Sequence, residues 1–392
     1  MESRPRKLIF FGALYFLQGA AFAYAVNFQK PYLAAAGIST ANIGLFTSIL
    51  LLPFILKIGL GWLSDHRPIG KWGGRKPYML MGLVIFAGGY GTLASLDPSQ
   101  SFLIFAVVTW LASLGLALFD TCADAWAIDI AKDDEMSSIQ AAMVSGRSLG
   151  LIAMSLGFGF LAKDFGVNSI FMALAVLATG VWFLVLAISP PKAIVVAEIP
   201  RRPKIWPPAW AWVAFAIYGV SYSMASFGSD GLMTLYMAKA QSAGSLEIGF
   251  FGFARGIGAI LGALTFAFIT RWFPLRKVLI GNLLGLGLAS LLAPHIEPFW
   301  LRASTWGLFW GLQETAYVTL AMIYSRGPWA ATLFAVWMIF SNVGTALGEA
   351  VAGAMVGEVG FAGVFGGLGV LAWVTMALTP WLKAGEGNRQ PN

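Results

Sequence analysis

Long apolar segments recur along the whole chain, and this pattern constrains the fold more than any other feature of the sequence. Only 11% of the 392 residues are charged and 58% are hydrophobic, whereas about a quarter of the residues in a soluble domain are charged. A helix needs about 20 apolar residues to cross the hydrocarbon core of a bilayer. The sequence therefore predicts an all-α membrane protein embedded in a lipid bilayer.

Twelve apolar segments reach spanning length, namely 8–34, 42–63, 78–95, 101–130, 137–161, 167–188, 209–238, 245–270, 278–294, 299–324, 329–356 and 361–383. The first follows MESRPRK with no small-residue cleavage site, so we expect a retained helix and not a signal peptide. The Pro-rich, basic stretch 189–208 is predicted to be a cytoplasmic linker. It separates an N-terminal six-helix half, 1–188, from a C-terminal six-helix half, 209–392.

Basic residues concentrate in alternate loops. With a cytoplasmic N-terminus, most of the 25 Lys and Arg residues fall in inside segments, as the positive-inside rule requires. Both termini are therefore predicted to be cytoplasmic, in the inner (plasma) membrane of a bacterium, and the chain is expected to be a monomer. These loops account for the net charge of +7, so no nucleic-acid partner is expected.

Residues suited to metal or enzyme chemistry are scarce. Cys122 is the single cysteine, and the two histidines, His66 and His295, fall in loops between apolar segments. This distribution argues against a thiolate or imidazole metal site. The sequence also has no nucleophile elbow and no Gly-rich phosphate loop. We predict no metal, no cofactor and no enzymatic activity.

The two halves carry an internal repeat. A shift of 194 positions aligns Asp120 with Glu314 and Gly150 with Gly344 without a gap. Parallel repeats of this kind build one large class of secondary transporters, in which the substrate site lies near the bilayer midplane between the repeats. The repeat therefore predicts that Asp120 and Glu314 face one central cavity at similar depth.

Three charged residues on the predicted fourth and fifth helices are the strongest candidates for a working site. Asp120 and Arg147 lie equally far from the centre of the helix hairpin, so they should reach the same depth. Asp124 is one helical turn from Asp120. We predict an ion pair between Asp120 and Arg147, with Asp124 close enough to share the arginine. The alternative is that this pair only fixes helix packing.

The charges at membrane depth do not balance. The acids are Asp120, Asp124, Glu314 and Glu349, and the bases are Lys57, Arg147 and Arg255. One acid is in excess, and a carboxyl without a full ionic partner can carry a proton near neutral pH. Glu314 is the preferred proton carrier. A Glu314 side chain hydrogen-bonded to Ser, Thr or Tyr is an equally weighted alternative. Whether Glu349 and Asp230 face the cavity is open.

Two further cations and two tyrosines complete the candidate binding residues. Lys57 and Arg255, on equivalent helices of the two halves, would suit an anionic group of the solute. Pairing with the acids of the fourth and tenth helices is at least as good an account of both. Tyr218 and Tyr222 are candidate polar groups of the cavity, although tyrosines in membrane spans commonly serve packing.

The loop GWLSDHRPIGKWGGRKPY combines an acid with several bases. Asp65, Arg75 and Lys76 are predicted to form a conformational latch at the cytoplasmic ends of the helices, through charge-assisted hydrogen bonds. A simple positive-inside loop would explain the bases but not Asp65. Asp129, near the cytoplasmic end of the fourth helix, is expected to be solvated or to lock the loop.

The segments GWLSD and GGRK resemble the signature loop of the major facilitator superfamily, although HRPIGKWG intervenes here. The longer run LPFILKIGLGWLSDHRPIGKWGGRKPY, with the acidic pattern around Asp120 and Asp124, is similar to folate–biopterin transporters, muropeptide permeases and acetyl-coenzyme A transporters. The resemblance extends over residues 45–150. It implies the major facilitator fold and proton-driven symport or exchange of a bulky, polar, often anionic solute.

The sequence thus predicts a secondary active transporter that moves a polar, anionic organic solute by alternating access, coupled to protons. The predicted partners are this small solute, protons and the bilayer. The alternative is a non-transporting membrane scaffold or assembly factor on the same fold, because fold does not fix function.

Overall fold

The computed structural model describes residues 4–67, 69, 75–130, 136–188, 209–325 and 330–382. Within these ranges the chain is helical and contains no strand. The α-helices are α1 (Arg4–Ala23), α2 (Gln29–Ala35), α3 (Thr40–Ile49), α4 (Leu52–Ile55), α5 (Lys57–His66), α6 (Arg75–Leu93), α7 (Phe102–Ile130), α8 (Met136–Phe165), α9 (Asn168–Ala187), α10 (Ala209–Ala240), α11 (Ser245–Ile269), α12 (Leu275–Leu292), α13 (Phe299–Tyr324) and α14 (Ala330–Thr375). A π-helix, Tyr24–Phe28, joins α1 to α2, and 3₁₀ helices cover Ala293–His295 and Met376–Trp381.

Helices lie at all twelve predicted spans. The first span is α1, the π-helix and α2, and the second is divided into α3, α4 and α5. The last two spans are both in α14, which is interrupted at Gly360 by a left-handed backbone conformation with φ 70° and ψ 172°. Among the described residues, eight helical segments are long and apolar enough to cross a membrane. The predicted all-α membrane fold is confirmed, and the predicted linker 189–208 lies outside the described residues.

The chain divides into two compact units. Unit 1 contains Met1–Ser39, Ile49–Val196 and Thr234–Phe253, and unit 2 contains Thr40–Ser48, Ala197–Met233 and Ala254–Asn392. The predicted halves are a division of the sequence by its repeat. The contact units differ from them in two short segments, one from each half, that are grouped with the other unit.

Glycines set the close approach of helices in each unit. In unit 1, a Cβ at Gly150 of α8 would collide with the carbonyl oxygen of Phe16 on α1. In unit 2, a Cβ at Gly344 of α14 would collide with the carbonyl oxygen of Val220 on α10. Gly150 and Gly344 are equivalent in the repeat, so the same small residue lets the first helix of each half contact its fifth helix.

Aromatic side chains fill the core of unit 2. Phe215, Tyr218, Tyr222, Tyr317 and Trp337 belong to one cluster of buried residues from α10, α13 and α14. The rings of Tyr222 and Tyr317 lie 4.6 Å apart between centroids. Because this cluster holds both tyrosines of α10 in place, their hydroxyl groups have fixed positions beside α13.

Candidate functional site

In unit 1, Lys57 contacts two carboxylates of α7. Its ammonium group forms an ion pair with Asp120 and lies 3.5 Å from a carboxylate oxygen of Asp124. The two acids are one turn apart on the same face of α7. The alternative prediction for Lys57, pairing with the acids of this helix, is therefore the arrangement found.

A break in the second span positions Lys57. Helix α4 has Pro53 in its first turn and is followed by Leu56, whose φ of −80° and ψ of 4° leave the helical range. The hydroxyl of Ser113 on α7 donates to the carbonyl of Leu50 at the start of the break, at 2.8 Å. Proline has no N–H to donate to the carbonyl four residues before it, so Pro53 interrupts the span after α3, and the span restarts after Leu56 with Lys57 as the first residue of α5.

The two carboxylates differ in their access to solvent. Asp120 is 2% exposed and also accepts a hydrogen bond of 2.7 Å from the amide of Gln18 on α1. The Asp124 side chain is 43% exposed and that of Lys57 is 29% exposed. Asp124 accepts a hydrogen bond from the hydroxyl of Tyr15 on α1. Asp120 is thus enclosed by its partners, whereas Asp124 and Lys57 form the open side of the cluster.

The predicted ion pair between Asp120 and Arg147 is wrong. Lys57 pairs with Asp120 instead, and Arg147 is exposed, with no ion pair to any described residue. It still attracts the charge of Asp124 across space. Two residues at equal distances from the turn of a helix hairpin lie at the same depth in the membrane. This does not determine how each helix is rotated about its own axis, and so whether the two side chains face each other. Rotation of α8 is set by its packing on α1, where the backbone carbonyl of Arg147 faces Gly19.

In unit 2, Glu314 lies among hydroxyl groups. The hydroxyl of Tyr222 donates to a carboxylate oxygen of Glu314 at 3.0 Å and lies 3.3 Å from the hydroxyl of Ser341. Ser341 in turn is 2.8 Å from the hydroxyl of Ser223. The alternative prediction for Glu314, hydrogen bonding to Ser or Tyr, is found. Glu314 is half-buried.

Tyr218 contributes to the same region of unit 2. Its hydroxyl accepts a hydrogen bond of 2.6 Å from the amide of Gln313, the neighbour of Glu314 in α13. Both Tyr218 and Tyr222 are fully buried. They therefore position Gln313 and Glu314, and any role of Tyr218 in solute binding stays a prediction.

Arg255 forms a closed ion pair. Its guanidinium donates to Asp230 of α10 at 2.6 Å, and the two side chains are only 6% and 8% exposed. The indole N–H of Trp306 donates to the other oxygen of Asp230 at 2.7 Å. The count of membrane-depth acids omitted Asp230. The expectation that Arg255 meets an anionic group of the solute finds no support in this geometry, because Asp230 already neutralises it.

At the cytoplasmic ends predicted for the helices, Arg75 and Lys76 have well-defined partners. Arg75 pairs with Asp129 at 3.0 Å and donates to the hydroxyl of Ser64 at 2.7 Å. Lys76 donates to the carbonyl oxygens of Leu186 and Ile188 at 2.8 and 2.7 Å, at the C-terminus of α9. The side chain of Asp65 lies outside the described part of the structure, so the latch stays a prediction. The side chain of Asp129 is 36% exposed and pairs with Arg75, the first residue of α6, and its expected role, solvated or locking the loop, stays a prediction.

Two site residues on α1 were missed. Tyr15 and Gln18 are three positions apart, and each donates to one of the two acids of α7. Their i,i+3 spacing matches the i,i+4 spacing of the acids, which is the signal that could have identified them. The first span is otherwise apolar in this region, and a polar pair on one helix face indicates an interhelical contact.

The described residues contain no group of three or more His, Cys, Asp and Glu side chains that could hold a metal ion.

Comparison with known families places this arrangement in context. The sequence profile of the Major Facilitator Superfamily matches residues 10–348. The chain belongs to the major facilitator superfamily. Membership makes it a membrane transporter of small solutes and not an enzyme, so the prediction that it has no enzymatic activity is confirmed. The predicted membership of this superfamily is confirmed as well.

Solved structures agree with the superfamily assignment. The nucleoside transporter NupG superposes with a TM-score of 0.75 at 15% identity, covering 95% of this chain and 99% of that one. The peptide transporter POT, in complex with sulfate, gives 0.75 at 14% identity, covering 95% and 94%. A bacterial homologue of the human lysosomal transporter Spinster, inward-facing and unoccupied, gives 0.68 at 14%, covering 96% and 95%. A search of curated proteins found no matching relative. At these identities the structures show a shared fold alone.

Proposed function

We propose that the protein is a secondary active transporter that moves a polar, anionic organic solute by alternating access, driven by protons. One observation carries the proposal: the charged cluster of Lys57, Asp120 and Asp124 lies within membrane-spanning helices and is partly open to solvent. Charges at membrane depth face the bundle interior or a water-filled path, because exposure to lipid costs too much free energy. A half-exposed lysine and aspartate there fit a solute pathway.

Proton coupling is supported by a feature common to both units. Asp124 accepts a hydrogen bond from Tyr15, and Glu314 accepts one from Tyr222. A phenol hydroxyl can donate to an ionised carboxylate and can accept from a protonated one. Each carboxyl can therefore gain or lose a proton without losing its partner, as a proton carrier in a transport cycle requires.

The class of solute is proposed from the sequence. The similarity of residues 45–150 to folate–biopterin transporters, muropeptide permeases and acetyl-coenzyme A transporters favours a bulky, polar, anionic molecule. The excess of basic residues in the predicted inside loops favours cytoplasmic termini and the inner membrane of a bacterium. The protein is proposed to work as a monomer, since the two repeats of a single major facilitator chain together form one substrate site.

The test begins with purified protein. Pterins, muropeptide fragments, nucleotides and coenzyme A esters are screened for thermal stabilisation at two pH values, because a ligand that binds the folded state raises its apparent stability. The stabilising compound is then followed into proteoliposomes with an imposed pH gradient. Wild-type protein should accumulate it only when the gradient is present.

Two neutralising variants test the coupling. Asp124→Asn and Glu314→Gln should each abolish gradient-driven accumulation while the protein stays folded. The matched controls, Asp97→Asn and Glu247→Gln, neutralise exposed acids outside the clusters and should transport normally. Accumulation at the wild-type rate in both site variants would remove proton coupling from the proposal, and no movement of any solute in wild-type protein would remove transport itself.

A further inference from the structure

Three cations lie at the connection between α11 and α12. Arg271 is in the connection itself, and Arg276 and Lys277 are in the first turn of α12. All three residues are exposed, and their side chains form no ion pair or hydrogen bond with any residue that the structure describes. From residue 248 to residue 296 the sequence contains no Asp or Glu. The positive charge of this connection therefore has no counter-charge from its own part of the chain.

Two cations also begin α6 in unit 1, but these have partners. Arg75 pairs with Asp129, and Lys76 donates to two carbonyl oxygens at the C-terminus of α9. A cation in the first turn of a helix is repelled by the helix dipole, and these partners offset that cost in α6. Within the described ranges, Arg276 and Lys277 begin α12 without such partners. Their charges are thus left for a group outside the chain.

The connection lies where lipid meets water. Both α11 and α12 are long and apolar enough to cross a membrane. On α11, exposed apolar side chains recur every four residues at Ile260, Leu264 and Phe268, which places them on one face of the helix. Trp272, four residues further on, is also exposed, and its ring centroid lies 6.4 Å from that of Phe268. Because tryptophan is enriched at membrane–water interfaces, the neighbouring cations are at the level of the lipid headgroups.

Lys277 lies on the same face of α12 as exposed apolar residues. Leu284 and Leu288, seven and eleven residues further on, are both exposed, and these spacings correspond to about two and three turns of a helix. A lysine at the end of a lipid-facing row keeps its methylene groups in apolar surroundings and its ammonium group in the headgroup region. The cationic patch of Arg271, Arg276 and Lys277 therefore borders the lipid.

We propose that this cationic patch binds the headgroup of an anionic phospholipid, with Trp272 packed against the glycerol region of the same lipid. The lipid phosphate supplies the counter-charge that the chain lacks here, and the planar fork of an arginine matches paired phosphate oxygens. Each Lys or Arg near a membrane surface adds to the attraction for anionic lipid, whereas a zwitterionic headgroup carries a cation of its own. The binding needs only the membrane fold and is independent of the proposed transport function.

The experiment measures lipid binding to the full-length protein in detergent. Native mass spectrometry follows titrations with phosphatidylglycerol and with phosphatidylcholine. At its strongest site, wild-type protein should bind phosphatidylglycerol about tenfold more tightly than phosphatidylcholine. The position of the site is mapped with a phosphatidylglycerol analogue that carries a photoreactive headgroup, which should attach to the segment 270–277.

A double variant tests the cations directly. Arg276→Gln with Lys277→Gln removes two exposed charges and breaks no side-chain contact in the described part of the structure. It should bind phosphatidylglycerol about tenfold more weakly than wild type, and phosphatidylcholine equally well. The matched control, Lys163→Gln with Lys239→Gln, removes two exposed cations from the last turns of α8 and α10. It should bind both lipids as wild type does.

Several results would overturn the proposal. Equal binding of the two lipids by wild-type protein, or an equal loss in the control and in the site variant, would mean that no specific headgroup site exists. Unchanged binding in the site variant would leave Arg276 and Lys277 as topology signals alone, and so would photolabelling confined to other segments. Displacement of the lipid by inorganic phosphate at equal concentration would assign the patch to a soluble phosphate and not to a lipid.

Discussion

Each unit contains an ion pair within its membrane-spanning helices, and the two pairs differ in their access to water. The pair of Arg255 and Asp230 in unit 2 is closed, with both side chains under a tenth exposed and an indole donor on the second carboxylate oxygen. The pair of Lys57 and Asp120 in unit 1 is open on one side, because the Lys57 side chain is 29% exposed. A second carboxylate, Asp124, completes that open side.

Residue type and depth therefore do not determine the role of a membrane charge. A buried pair whose hydrogen bonds are satisfied holds helices together, and it offers nothing to a solute. An incompletely enclosed pair stays accessible on its open side. Lys57 and Arg255 looked equivalent in the sequence, but Lys57 is partly exposed and Arg255 is enclosed by its partners.

The largest expected effect is on the closed pair. Arg255→Gln leaves the Asp230 carboxylate buried without its cation, which should lower the free energy of unfolding by about 4 kcal/mol. SDS-induced unfolding of the purified protein measures this loss. The double variant Arg255→Gln with Asp230→Asn removes both charges and should recover most of the stability. A single variant as stable as wild type would show that the pair is not a structural lock.

The open pair should respond less in stability and more in function. Lys57→Gln should cost about 2 kcal/mol, below the range for a fully buried pair, since the side chains of Lys57 and Asp124 are 29% and 43% exposed. The same unfolding assay measures it, beside uptake in proteoliposomes, which should be lost. A stability loss equal to that of Arg255→Gln would mean that the two pairs are enclosed alike.

A third effect concerns the extra donor of the open pair. Gln18→Met removes the hydrogen bond to Asp120, and a bond to a charged group contributes about 2 kcal/mol. The amide oxygen of Gln18 is buried with no hydrogen-bond partner among the described residues, and its removal offsets part of that loss. We expect a net loss of about 1 kcal/mol in the unfolding assay. A loss as large as that of Lys57→Gln would mean that Gln18 stabilises the buried Asp120 carboxylate as much as Lys57 does.

The smallest effect is expected at a carboxylate in full solvent. Asp97, in the loop between α6 and α7, accepts hydrogen bonds from the side chain and the backbone N–H of Ser99, and these hold its pKa below the ordinary value. Since the folded pKa is lowered, the stabilisation is present above the unfolded pKa and is lost as the pH falls through the folded one. The melting temperature of the wild-type protein should therefore fall slightly as the pH is lowered from 5 to about 3. In Asp97→Asn this part of the fall should be absent. A marked loss of stability at pH 7 would contradict this.

The spans and the repeat could be predicted because they depend on local properties of the sequence. A helix lies at each segment that hydropathy located, within the described ranges, and the shift of 194 positions found Gly150 and Gly344, which pack against equivalent helices. The acids of α7 were identified because charges in apolar segments are conspicuous. These features follow from the preference of each residue for an aqueous or an apolar environment.

The partners of the charges could not be predicted in the same way. The equal depth of Asp120 and Arg147 along the α7–α8 hairpin suggested that they form an ion pair. Instead, glycine packing sets the rotation of α8, and after the break at Leu56 the side chain of Lys57 contacts Asp120. Asp230 was left out of the charge count although it neutralises Arg255. Rotation, breaks and pairings depend on contacts between distant segments, which single-sequence periodicity does not record.

The π-helix in the first span has a consequence for how related sequences are aligned. Residues Tyr24–Phe28 form i→i+5 hydrogen bonds, and the N–H of Gln29 bonds to the carbonyl of Tyr24, so this turn holds one residue more than an α-helical turn. A homologue with a regular helix here would be one residue shorter, and the gap belongs inside the membrane span. An ungapped alignment would turn every later residue of the span by about 100° and assign the contact of Asn27 with Ser155 to the wrong helix face.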